Sequence, residues 1–176
     1  MTNRLEQRVQ REVAVDKRRA AERVKHLADN QHLTPKTAKP DFSPGRLAAE
    51  NIRKELKRAF PLVKFGVTSD YNSVDIRWTN GPTSSEVKAI AGKYEAGSFD
   101  GMTDSYDYNA DATFGDVFGD PKYVFCQRAD TLEGVRKAWQ LAGFNPDDVP
   151  AGWETGDRWK CQHADAMLRA WSQTSL

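Results

Sequence analysis

The sequence predicts an α+β fold: a small antiparallel sheet, built from a hairpin and one further strand, packed by helices and preceded by a long basic N-terminal helix. Three observations carry this. Residues 2–30 hold no Gly or Pro and are rich in Arg, Ala, Glu and Gln, which favours helix throughout. At Pro61 the apolar period switches from helical, in Leu47, Ile52, Leu56 and Phe60, to alternating, in Val63, Phe65, Val67 and then Val74, Ile76, Trp78. Helix-start signals recur at Ser43, Thr83 and Asp130, each ahead of an apolar run.

The N-terminal helix carries a sparse apolar stripe of Leu5, Val9, Val13, Val24 and Leu27, too thin for a buried core helix. Its cations, Lys17, Arg18, Arg19 and Arg23, form a basic band on more than one face. Residues 32–44 contain Pro35, Pro40 and Pro44 and read as a linker, so the chain divides into a basic helix and Pro-containing linker over 1–40 and a single α+β domain over 41–176. Ser43 caps a helix that Pro44 opens and Pro61 stops. A hairpin follows, with Ser69–Ser73 as its loop and Asn80-Gly81-Pro82 closing the second strand. Thr83-Ser84-Ser85-Glu86 has the capping-box form and opens a short helix reaching Tyr94.

Residues 95–120 read as a structured acidic loop with a short strand near Ser105–Tyr108. Tyr123–Gln127 is an apolar strand suited to join the hairpin, and Thr131–Ala142 is a helix with Asp130 as cap and Gly143 as terminator. A last helix is expected over 156–171. The five tryptophans, at 78, 139, 153, 159 and 171, read as core or rim residues.

The formal net charge of +1 conceals a segregation. Residues 1–64 hold sixteen Lys/Arg against eight Asp/Glu, whereas residues 95–120 hold seven acids and no Lys or Arg. A uniformly basic nucleic-acid-binding surface is thereby excluded, and a basic head faces an acidic middle. Asp100, Asp104, Asp107, Asp111 and Asp116 are candidates for binding a partner protein, because carboxylates on an aromatic-pinned loop imitate the charge spacing of a nucleic-acid backbone. Lys17, Arg18, Arg19 and Arg23, with Lys64, Tyr71 and Arg77 on the hairpin, are candidates for nucleic acid: cations for phosphates and a ring for a base.

Catalytic and metal chemistry find little footing. Asp107, Asn109 and Asp111 are spaced like the first ligands of a calcium loop, but Ala112 stands where a turn Gly is needed and Phe118 where a bidentate Glu is needed. Cys126, Cys161 and His163 lack zinc-ligand spacing, and no phosphate-cradling Gly-rich loop or nucleophile elbow occurs. The expectation is a non-enzymatic protein with no cofactor and no metal. Two cysteines, no apolar run of membrane-spanning length and no signal-peptide core point to the cytoplasm without a membrane partner.

One block carries a family likeness: Asn51-Ile-Arg-Lys-Glu-Leu-Lys-Arg-Ala-Phe-Pro61, Val63-Lys-Phe-Gly-Val-Thr68, Val74-Asp-Ile-Arg-Trp-Thr-Asn-Gly-Pro-Thr83, and Phe99-Asp-Gly with Asp104, Asp107 and Tyr108. It resembles the large polyvalent-protein-associated domain family, type twenty-nine. The resemblance implies an accessory protein of a phage or conjugative element, beside functions that protect incoming DNA or redirect the host, and it brings no catalytic set. The expected function is counter-defence or host takeover, for example anti-CRISPR-like inhibition, by binding a host protein or protein–nucleic-acid complex in the bacterial cytoplasm. The alternative is a nucleic-acid-binding module using the basic head and the hairpin face.

Overall fold

A computed structural model describes residues 4–109, 113–141 and 143–149. The expected helix over 156–171, Asp111, Cys161 and three of the tryptophans lie outside the described residues. The fold is α+β. Its first element is α1 (Arg4–Asp29), 26 residues long. Next comes α2 (Pro44–Ala59), where the Ser43 hydroxyl accepts from the Arg46 amide at 3.3 Å as its composition predicts. The hairpin is β1 (Gly66–Ser69) and β2 (Ser73–Thr79). Pairing starts only at Gly66, and Val63 and Phe65 instead pack half-buried against the core.

Asn80 and Gly81 take positive φ values of 54° and 75°, which ends β2 sharply. Thr83 and Glu86 form the full capping box of α3 (Ser84–Ala91), and a 3-10 turn carries the chain on to Tyr94. The acidic stretch is more structured than one strand in a loop. It contains a second hairpin, β3 (Gly97–Asp100) with β4 (Ser105–Tyr108), followed by a short helix α4 (Thr113–Phe118).

The last strand, β5 (Tyr123–Ala129), joins the first hairpin beside β2, giving the order β1-β2-β5. It runs parallel to β2, with Val74 opposite Val124 and Ile76 opposite Cys126, so the sheet is mixed where an all-antiparallel one was expected. The reason lies in residues 80–122. They return the chain across the helical layer to the end where β2 begins, and the Tyr123 amide donates to the Asn72 carbonyl at 3.1 Å. The free edge of β5 is blunted by side chains: the Val124 amide donates to Glu95 and Lys88 reaches the Val124 carbonyl.

Helix α5 (Leu132–Leu141) follows. Its cap is Thr131, whose hydroxyl accepts from the Gly134 amide, rather than Asp130. Asp130 is drawn away by Arg128, 2.8 Å distant, both side chains being nearly buried. Gly143 terminates the helix at φ 86°.

The core lies between the helices and one face of the three-stranded sheet. Ala48, Ala49, Ile52 and Leu56 of α2 meet Val67, Val74, Ile76, Trp78 and Val124, joined by Val87, Tyr94 and Phe118. Residues of the Pro-containing segment belong to this body. Leu33 is buried in the core, and fully buried Asn51 accepts from the Thr34 amide while donating to the carbonyls of Thr34 and Phe118. Two glycines allow backbones to touch. A Cβ on Gly45 would meet the Asp70 carbonyl at 2.2 Å, and one on Gly119, already at φ 105°, would meet the Ala48 nitrogen at 2.6 Å. No described helix is long and apolar enough to cross a membrane.

Candidate functional site

The β3–β4 hairpin has two unlike faces. Its register pairs Ser98 with Asp107 and Asp100 with Ser105 on one side, and Phe99 with Tyr106 on the other. Gly97 lies under the Tyr106 ring, where a Cβ would come within 2.9 Å of it. One face is thus acidic and polar, the other aromatic.

The five candidate carboxylates do not act as a set. Asp100 locks the hairpin turn, accepting from the Met102 amide and the Thr103 hydroxyl at 2.9 Å each, and these bonds lower its pKa. Asp104 sits in that turn at φ 50° and is exposed. Asp107 is exposed on β4. Asp116, on α4, is held by Arg23 at 2.6 Å. Asp111 lies outside the described residues. The hairpin therefore offers Asp104 next to Met102, 96% exposed, in its turn, while Asp107 stands on the polar face and Phe99, 53% exposed, on the aromatic one. Sequence reasoning named the acids, took the aromatic residues as pins for the loop and did not single out Met102, although Phe99-Asp-Gly-Met102 at a turn was the available signal.

The candidate cations also divide. Arg23 is engaged with Asp116, and Arg18 lies 3.6 Å from Glu22. Lys17 is exposed and Arg19 half-buried. The last turns of α1 dock on α4, where Glu22 and His26 reach the Thr113 hydroxyl and the His26 ring meets Phe114 edge-on at 5.3 Å. Residues 6–18 of α1 are exposed. Part of the basic head is therefore spent on attachment to the acidic middle.

Lys64 and Arg77 come together, lining an open groove of about 740 Å³ beside Gln127 and Ala129. Tyr71, 66% exposed, sits at the opposite end of the first hairpin, beside Tyr108 and Lys122. The three hairpin candidates thus bracket the outer face of the sheet instead of clustering. That face carries residues that escaped the sequence reading. On β5, Val124 points into the core, so Tyr123, Phe125 and Gln127 point outward. Arg77 donates to Gln127 at 3.2 Å across the strand pair and lies 3.9 Å from Asp75. The Tyr123 and Phe125 rings are near-parallel, 5.9 Å apart, and Tyr106 meets Tyr123 edge-on at 5.6 Å and Tyr108 at 4.8 Å. Lys122 rests its ammonium 4.6 Å from the Tyr106 ring centre. Burial, with the Glu95 carboxylate nearby, raises the Tyr106 phenol to about 12, so it stays a neutral donor to the Lys122 carbonyl. Reading 123–127 as a uniformly apolar strand concealed this alternation.

Elsewhere, burial pushes the Cys126 thiol up, which leaves it a poor nucleophile. Among the described residues, no three His, Cys, Asp or Glu side chains are grouped to hold a metal ion.

No curated protein and no solved structure matches the chain. A family model does match, over residues 44–131, from the first turn of α2 to the cap of α5: large polyvalent protein associated domain 29. The matched stretch holds the whole three-stranded sheet and both hairpins, and associates the chain with large polyvalent proteins of phages and mobile elements. The chain belongs to the large polyvalent protein associated domain 29 family.

Proposed function

We propose that this protein is a non-enzymatic accessory factor of a phage or mobile element that acts in counter-defence or host takeover, in the bacterial cytoplasm, by binding a host protein or protein–nucleic-acid complex through its β3–β4 hairpin. One observation carries the reading: the hairpin turn holds Met102 in solvent at 96% exposure next to the exposed Asp104, with Phe99, 53% exposed, on one face of the strands and the exposed Asp107 on the other. Exposed apolar side chains rimmed by charge mark protein contact surfaces, the apolar part supplying affinity and the carboxylates orientation and encounter rate. The Asp100 bonds that lock the turn hold these groups in place before binding, which reduces the ordering cost of association. A partner that ordinarily grips phosphates would present cations to meet the acids.

The test is protection. Expressed in a bacterial strain with an active anti-phage defence, the protein should raise plating efficiency of a sensitive phage. Met102→Asp with Phe99→Ser should abolish that gain while leaving thermal unfolding of the purified protein unchanged, since both side chains are exposed. Protection unaltered by that pair would remove the hairpin from the function.

A further inference from the structure

We propose that the outer face of the β1-β2-β5 sheet binds single-stranded nucleic acid, its bases stacking on Phe125 and Tyr123 while Lys64 and Lys122 meet the phosphates at either end of the track. This site is separate from the hairpin tip and does not rest on the hairpin reading.

The geometry begins with β5. Two aromatic residues, two positions apart on one strand, necessarily share a face, and here the neighbours Val124 and Cys126 are committed to the core. Burial of Val124 therefore obliges Tyr123 and Phe125 to stand out from the sheet. No described helix lies over them, and Phe125 is 47% exposed. Their rings are inclined by only 19°, a platform on which successive bases can lie. The row continues through Tyr106 to Tyr108, itself 69% exposed, which prolongs the aromatic track onto the second hairpin.

Charge complementarity fixes the class of ligand. Lys64 and Arg77 line the groove beyond Phe125, and Lys122 covers the other end against Tyr106 and Tyr123. The spaces between are small: Gly66 stands opposite Arg77 and Ala129 opposite Thr79, leaving a shallow trough instead of a ridge. Arg77, Gln127 and Asp75 sit side by side in the middle of the face, a set of donors and acceptors fitted to base edges. Asp75 moderates the positive charge, so binding relies on stacking as much as on phosphates. A duplex keeps its bases stacked on each other and presents no free ring to Phe125; an unpaired strand does.

Fluorescence anisotropy of the whole protein with labelled oligothymidine DNA, oligouridine RNA and a DNA duplex, at low and moderate salt, tests this. Binding of either single strand at low salt is expected, weakened as salt rises and tighter than the duplex. Phe125→Ala should weaken it by roughly tenfold, Phe125→Tyr should restore it, and Arg77→Glu should also weaken it. Lys17→Glu with Arg18→Glu should leave it within about threefold, removing at most a little long-range attraction. Absence of binding to both single strands at low salt overturns the proposal. So does binding untouched by Phe125→Ala, a duplex bound as tightly as the strand, or loss through the α1 pair alone. Circular dichroism of Phe125→Ala separates a lost platform from a lost fold.

Discussion

The two faces of the three-stranded sheet are made by alternate residues of the same strands, yet they meet opposite surroundings. Inward, Val74 and Ile76 are fully buried and Trp78 is 3% exposed, its indole donating to the Pro82 carbonyl. Outward, Asp75, Arg77, Phe125 and Gln127 meet solvent. Alternation within a strand assigns the core to one set and leaves the other in solvent, so a substitution one position along should change the kind of loss and not merely its size.

The largest expected effect is on the inner face. Ile76→Ala should cost roughly 2–5 kcal/mol of stability, whereas the neighbouring outer-face change Arg77→Ala should stay within about 0.5 kcal/mol. Urea unfolding of the two variants measures both, and equal losses would break the division between faces. Second comes Asn51→Ala, which leaves the buried Phe118 carbonyl and the half-buried Thr34 amide without their partner and should cost roughly 2–3 kcal/mol. A loss near zero there would show that residues 30–43 can detach without disturbing the core.

A smaller effect concerns pH. The Lys39 ammonium, with Thr34 and Lys54, holds the Glu50 carboxyl at about 2, below its ordinary 4.5. A lowered folded pKa means stability that is fully present above the unfolded value and lost as pH falls through the folded one. Glu50→Gln should therefore cost about 1 kcal/mol at pH 7, this pair being partly open to solvent, and the difference from wild type should vanish as pH drops from about 4.5 towards 2. Thermal melts across that range would read it. The smallest is the bond between basic head and acidic middle: a double-mutant cycle on Arg23 and Asp116, both about half exposed, should return roughly 0.2–1 kcal/mol.

Much of the fold was legible. Ser43 and the Thr83–Glu86 box act locally, through a side chain reaching an amide three residues away, so spacing alone specified them. Asn80-Gly81 and Gly143 were readable because left-handed backbone is a local demand. The direction of β5 was not, since it depends on the path of residues 80–122 across the helical layer. Asp130 failed as a cap for a similar reason: a nearly buried Arg128 competes for its carboxylate. Of the candidate sites, the acids and cations were legible as types. Which of them remain available was not, because Arg23 and Asp116 lie far apart in sequence and consume each other in space.

The sequence by itself determined helices α1, α2, α3 and α5, the caps at Ser43 and Thr83, the first hairpin, the charge segregation and the family, all of which depend on neighbours within a few residues or on pattern. Only the tertiary structure decided that β5 lies parallel to β2, that α1 spends cations on α4, and that Phe125 and Tyr123 face outward. Those outcomes turn on which apolar residues the helical layer can bury. Once Val124 is taken into the core, the residues on either side of it are turned to the opposite face of the sheet.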